Sequence, residues 1–317
     1  MTAPAIPAAR QGRLPQARAI DRAGGLVEIA LRTHTGLAYV FLYVPILVVV
    51  VLAFNATEGR ITSWEGFTLD WFGVALGDRV VQKAIENSFW IAIPTAFLST
   101  AMGTMAALGL QRVPRGVRIG YDALTYVSVI VPEIVIALAT LIFFSSTFDV
   151  LNPVLAGLQG DPAKPFKLGL GRETVIAAHA LFNTSLVLLL VRARLSTMDR
   201  TLVEASYDLF ATPWRTFRQI TFPALLPAIV AGFLLSFTFS FDDYVITTFT
   251  SGPGSSTLPL FIFGQTKQGV TPETNAVATM MLAFTLSMLA IGQLALRWQG
   301  RRRGQTGASM AGVVAER

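Results

Sequence analysis

The sequence predicts an all-α polytopic membrane protein with six transmembrane helices, and three observations carry that prediction. The 317 residues are 53% hydrophobic and only 14% charged, with a mean hydropathy of +0.56, whereas soluble domains are roughly a quarter charged. Apolar residues gather in runs close to the ~20 residues that a bilayer-crossing helix requires. Arg and Lys cluster between those runs, which is how membrane topology is encoded. The runs take up most of the chain, so the expectation is one membrane domain with no separate soluble domain.

In order, the runs are Leu37 to Phe54, Ser88 to Leu110, Ile119 to Phe144, Thr174 to Val191, Ala224 to Thr248 and Ala276 to Leu296. The first follows a polar stretch containing Arg, Ala and Pro, and no A-x-A-like site follows it, so it reads as an uncleaved span rather than a signal peptide. The fourth is interrupted by Asn183, Thr184 and Ser185, small polar residues that at such depth face another helix. The implied boundaries are a tail over 1–36, a transmembrane domain over 37–297, and a Gly-, Ala- and Ser-rich tail over 298–317 that reads as disordered.

Orientation follows from the basic residues. Eighteen of the 25 Lys and Arg fall in the N-terminal tail, the connections at 112–118 and 192–218, and the C-terminal end; the other seven lie opposite. Both termini are therefore expected in the cytoplasm. The long outer connection Asn55 to Asn87 carries Trp64, Trp71 and Phe72, which suit an aromatic interface, and Ser145 to Glu173 is rich in Gly and Pro. The net charge of +6 belongs to this topology, and no basic patch interleaved with aromatics argues for nucleic acid. With no Cys and only His34 and His179, disulfide chemistry and a His-rich metal site are excluded.

The cytoplasmic connection at 195–223 reads as structured. Asp199 or Thr201 can cap a helix, and Thr201-x-x-Glu204 has capping-box spacing. Arg200, Glu204 and Asp208 share a polar face, while Leu202, Ala205 and Leu209 form an apolar one. A second helix starts at Thr212 with Pro213 first, and Pro223 and Pro227 mark entry to the fifth span. Glu204, Ala205, Ser206, Asp208, Phe210 and Ala211, followed by Ile220, Phe222 and Pro223, resemble the E-A-A-x3-G-x9-I-x-L-P loop of binding-protein-dependent ABC importers. Ser206 stands for the second Ala, Phe210 for the Gly and Phe222 for the Leu. The resemblance implies a loop that inserts into a cytoplasmic ATPase. Phe210 removes the residue freest to adopt positive φ, so the turn between the two helices is left open. No G-x-x-x-x-G-K-[ST] occurs; ATP and magnesium would be used by a separate polypeptide, and no cofactor is expected in this chain.

Ionisable residues inside spans are functional candidates by default. Glu133, behind Pro132, and Asp242–Asp243 in Ser240-Phe241-Asp242-Asp243-Tyr244 stand out. At about 1.5 Å rise per residue, Glu133 lies roughly 21 Å and Asp242 roughly 27 Å from the inner ends of unbroken helices. Carboxylates there would attract a cation, with Tyr244 adding a cation–π face. Neighbouring helical positions point about 100° apart, so Asp242 and Asp243 cannot both face one passage squarely. Glu133 could equally serve a kink or an interhelical hydrogen bond. Asp122 reads as interfacial.

The segments 235–249, 251–260 and 269–276, together with Asn87-Ser88, are similar to permeases of the spermidine/putrescine type of ABC importer, over about Asn87 to Leu296. That resemblance implies the type I importer permease fold in the bacterial inner membrane, with lipid around it. It also implies a second homologous permease, two cytoplasmic ATP-binding subunits and a periplasmic substrate-binding protein, and a polyamine as solute. Other solutes of the same transporter class are an opine, a cationic amino-acid derivative or chelated iron. An ATPase-independent carrier or channel would show inverted repeats with broken spans, and no such break is read here.

Overall fold

A computed structural model of the chain describes residues 15–158, 167–199 and 201–315, with side-chain surroundings described between residues 27 and 295. The expected Arg200 and Lys164 positions, and the side chains of the 298–317 tail, lie outside that set. Helix α1 (Pro15–Leu52) forms one compact unit and the chain from Ala53 onward the other. In the second unit, α2 (Asp70–Gly77) and α3 (Arg79–Gly109) are followed by α4 (Arg115–Ile130), α5 (Glu133–Leu158) and α6 (Arg172–Ser196). Next come α7 (Thr201–Asp208), α8 (Pro213–Thr216), a π-helical turn (Phe217–Thr221) and α9 (Phe222–Phe241). The unit ends with α10 (Val245–Thr250), α11 (Leu258–Thr266) and α12 (Pro272–Ala315). Among the described residues, six helical stretches are long and apolar enough to cross a membrane: 27–52, 79–109, 133–158, 172–196, 213–241 and 272–295.

The core of the second unit is the trio α3, α6 and α9, which pack most extensively on one another. Small residues make this possible. Ala92, Ala96, Ser99, Gly103 and Ala107 recur along one buried face of α3, and apolar helices in lipid gain contact chiefly where small residues let backbones approach. At one end Ala107 and Leu110 meet Leu195 and Leu225; near the other, Ala92 and Ala96 meet Phe237 and Phe241. Helix α6 therefore runs parallel to α3, and α9 antiparallel to both. The polar interruption in the fourth run faces other helices as expected: Asn183 is buried, and Ser185 bonds Ser128 of α4 at 2.6 Å.

Gly103 is the tightest point of this trio within the helices. A Cβ there would lie 2.8 Å from the Val187 Cβ and 2.9 Å from both the Leu188 nitrogen and the Thr184 oxygen. Two of those neighbours are backbone, so the helices themselves would have to part. Gly103→Ala is expected to destabilise the chain by about 1–3 kcal/mol, read as a lowered melting temperature in detergent. Gly116→Ala, whose Cβ would meet nothing within 4 Å, is the matched control and should melt as the wild type does.

Two apolar runs that read as single spans are each divided. The run 119–144 breaks between α4 and α5, because Pro132 lacks an amide hydrogen and pushes Val131 (φ −63°, ψ 131°) into the extended region. The run 224–248 breaks after Phe241. The Asp243 carboxylate accepts from the Thr247 and Ile246 amides at 2.8 and 3.4 Å and so begins α10 afresh. Glu133 and Asp242–Asp243 consequently stand at helix junctions, and depths counted along unbroken helices do not apply. The first helix begins at Pro15, well before the apolar run at Leu37, and α12 continues to Ala315 through the segment read as a disordered tail. Both extensions contain Ala, Arg and Gln, which favour helix.

The segment between α10 and α11 is tied to the core. Asn87 donates to the carbonyls of Gly254 and Ser256 at 2.9 and 2.7 Å. Ser88 accepts from the Leu258 amide, and Thr174 donates to the Thr250 carbonyl. These bonds fix the end of the trio at which the α9–α10 junction lies.

Candidate functional site

The junctions at Pro132 and Asp243 bring Glu133 and Asp243 near enough that each carboxyl feels the other's charge. Two carboxylates that close repel unless a proton or a cation sits between them. Glu133 opens α5 and is exposed; Asp243 is 9% exposed. Behind Asp243 stands His179 of α6, itself 1% exposed. Its Nε2 lies 3.0 Å from Asp243 Oδ1 and its Nδ1 2.8 Å from Ser240 Oγ. Facing a carboxylate, Nε2 carries the proton, and Nδ1 then accepts from the Ser240 hydroxyl. Thr247 Oγ1 adds a donor to Asp243 Oδ1 at 2.9 Å.

Asp243 Oδ1 thus takes three hydrogen bonds, from His179, the Thr247 amide and the Thr247 hydroxyl. His179 lies seven residues into α6, roughly 10 Å along it, so the pair is well inside the apolar section. A charge at such depth is costly unless paired, and the network supplies the pairing from one side only.

The other expected residues go elsewhere. Asp242 is exposed and accepts from Thr285 of α12 at 3.2 Å, so the two adjacent aspartates diverge. Tyr244 packs its ring on Phe263 of α11, centroids 4.2 Å apart. Asp122 pairs with Arg192 of α6. The sequence did not single out His179, Ser240 or Thr247. The available signal was a His within an apolar run; Ser240 and Thr247 lie on separate helices, so helical spacing does not join them to Asp243. A cavity of about 460 Å³ between α3 and α9, lined by Phe97, Thr100, Met105, Phe222 and Phe233, has no charged lining and offers a cation nothing.

The second candidate site is the connection from α7 to α9. Thr201 donates to Asp199 through both its hydroxyl and its amide, and these bonds hold the Asp199 carboxyl below the ordinary carboxylate range. Asp199, of the two candidate caps, therefore starts α7. Ser206 and Thr216 are both buried and their hydroxyls are 2.6 Å apart, locking α7 to α8. Thr212 caps α8 with Pro213 first, as the sequence indicates. Helix α7 turns its polar Ser206 inward and leaves Leu202, Ala205 and Leu209 exposed, because the Ser206–Thr216 bond fixes its rotation. Glu204 and Asp208 are exposed as well.

Phe210 itself makes the turn whose form the sequence left open. Its φ is +55°, the one positive value at a non-glycine among the described residues. The Phe210 amide donates to Tyr207 O at 2.9 Å and the Ala211 amide to Ser206 O at 3.0 Å, which is the Schellman pattern of a helix end. The left-handed conformation costs an L-residue about 1–2 kcal/mol, and the two capping bonds offset it.

Comparison with known proteins bears on the family and the fold. The profile of the family described as binding-protein-dependent transport system inner membrane component matches residues 99–305. The chain is 37% identical to the putrescine transport system permease protein PotI of Escherichia coli K12, over 78% of this chain and 83% of that protein. It is 32% identical to the spermidine/putrescine transport system permease protein PotC of the same strain, over 85% and 94%. Among solved structures, a bacterial ABC transporter that imports the acidic polysaccharide alginate superposes with a TM-score of 0.69, covering 89% of this chain and 98% of that one at 17% identity. A second structure of an alginate transporter, in complex with pentasaccharide-bound periplasmic protein, gives 0.64 at 18% identity.

Proposed function

This chain belongs to the family of binding-protein-dependent transport system inner membrane components, and from that premise we propose that it is half of the membrane passage of an ABC importer for a polyamine-like cation. It is a multi-pass inner-membrane transport subunit. In the proposal a second, similar permease completes the passage, a periplasmic protein delivers the solute, and two cytoplasmic ATP-binding subunits hydrolyse ATP. Magnesium and ATP then belong to those subunits. Closure of the ATP-binding subunits would draw on the α7–α8 connection, and the firm Ser206–Thr216 link would carry that movement into α9 through the π-helical turn.

The observation that carries the cationic preference is the Glu133–Asp243 pair, with Asp243 anchored by His179. A primary ammonium has three donors and a positive charge, so placed between the two carboxyls it would replace their repulsion with charge-assisted hydrogen bonds. The relatives named for putrescine and spermidine transport support the same solute class. The acidic polysaccharide of the structural neighbour does not bear on it, since likeness at 17% identity speaks for the fold alone.

The test is uptake of labelled putrescine and spermidine by the complete importer in cells lacking other polyamine uptake. The wild type should accumulate both or one of them in an energy-dependent manner. Glu133→Gln should lower the rate about tenfold or more, as loss of a hydrogen bond to a charged group allows, with unchanged amounts of protein in the membrane. If the associated binding protein ignored both polyamines and took up an opine, an amino-acid derivative or chelated iron, the solute assignment would be wrong.

A further inference from the structure

Phe210 combines two properties that the fold of this chain alone does not use. It occupies a left-handed backbone position, φ +55°, where the resembled loop motif has Gly and where a side chain is disfavoured. The residue is also 95% exposed, so it gives the free chain almost no burial in return. Around it, Leu209 is 81%, Trp214 69% and Leu202 55% exposed. The inside of the turn is meanwhile fixed by the Ser206–Thr216 bond and the two capping bonds. A rigid turn thus displays the Phe210 ring on a connection that also exposes the apolar side chains of Leu202, Leu209 and Trp214 and the carboxylates of Glu204 and Asp208.

We propose that Phe210 is an aromatic anchor that inserts into an apolar socket on the ATP-binding subunit, and that it makes this permease selective for an ATP-binding subunit with such a socket. The inference rests on the reading of the 195–223 connection as the coupling loop and adds the energetic centre of that contact. A ring held at a fixed angle suits a shaped pocket, and interface energy concentrates in such aromatic anchors surrounded by a rim that excludes water. Preorganisation of the turn also means that little freedom is lost on docking. A bilayer surface is the other occupant an exposed Phe, Leu and Trp could find. The exposed Glu204 and Asp208 on the same short helix oppose it, because the cytoplasmic leaflet is anionic. An ATP-binding subunit shaped for a turn without a side chain would meet Phe210 as a clash, which is how a single residue can set partner choice.

The experiment co-expresses the full-length chain with the second permease and the ATP-binding subunit of the same transport system, and measures the ATP-binding subunit retained on purification. Phe210→Gly keeps the turn, since Gly adopts positive φ freely, and should lower the retained ATP-binding subunit at least tenfold while the chain stays monodisperse in detergent. Phe210→Leu, still apolar, should retain it to within about threefold of wild type. Glu204→Lys serves as the control for the loop reading. If Phe210→Gly retains wild-type amounts while Glu204→Lys does not, the anchor is wrong and the coupling loop stands. If both retain wild-type amounts, the loop reading falls too. Wild-type retention with lost uptake in Phe210→Gly would give the ring to the bilayer and overturn the proposal.

Discussion

Reversing the charge of Glu204 is expected to reduce ATP-driven uptake by roughly a hundredfold or more while leaving membrane insertion and detergent stability at wild-type levels. Glu204 is exposed on α7 and its side chain has no hydrogen bond or ion pair among the described residues, so its replacement breaks no such contact among them; surface changes of that kind stay within about 0.5 kcal/mol. A charge of the wrong sign within a docking surface costs several kcal/mol, which corresponds to the expected loss. Glu204→Lys should therefore separate coupling from folding cleanly. Uptake at the wild-type rate would remove the loop from the coupling path.

The second large effect is expected at Asp243, and there folding and transport fall together. Asp243→Ala leaves the His179 Nε2 proton and the Thr247 hydroxyl and amide without their acceptor in a site where both residues are at most 1% exposed. Stranding buried polar groups in this way costs about 3 kcal/mol, so the melting temperature should drop by several degrees and uptake should be lost. Asp243→Asn keeps an acceptor oxygen at the same place and should restore stability but not cation uptake. Asp242→Asn should do little, because among the described residues the Asp242 side chain bonds only Thr285, and it is exposed. Equal losses from Asp242→Asn and Asp243→Asn, measured at equal expression, would contradict the assignment of Asp243 as the aspartate of the cation site.

The parts of this account that were legible in the sequence are those set by composition and local spacing. Six apolar stretches, the caps at Asp199 and Thr212, and the two short helices around Phe210 all follow from patterns within a few residues. Breaks in the spans were less accessible. Hydropathy continues smoothly through Val131-Pro132 and through Phe241 to Val245, and only the cost of Pro132 in a helix and the capping habit of Asp243 interrupt it. The candidate cation site depends on those breaks. It also depends on His179, which is 64 residues from Asp243 and meets it only once α6 and α9 are packed. Sequence spacing could place Asp242 beside Asp243 but not show that one turns toward α12 and the other toward α6. At Phe210 local propensity argued against the turn, yet the Ser206–Thr216 lock and the Schellman bonds outweigh it.

The chain contains no cysteine, so a single introduced thiol is the one thiol this subunit carries and can report on the coupling loop. In inverted membrane vesicles bearing the whole importer, Ala205→Cys, on the exposed side of α7, should crosslink to the ATP-binding subunit, with a yield that changes on addition of ATP. A thiol at 205 that fails to crosslink, or that is labelled by a membrane-impermeant reagent from the periplasmic side, would contradict the claim that this connection is where ATP-driven movement enters the membrane.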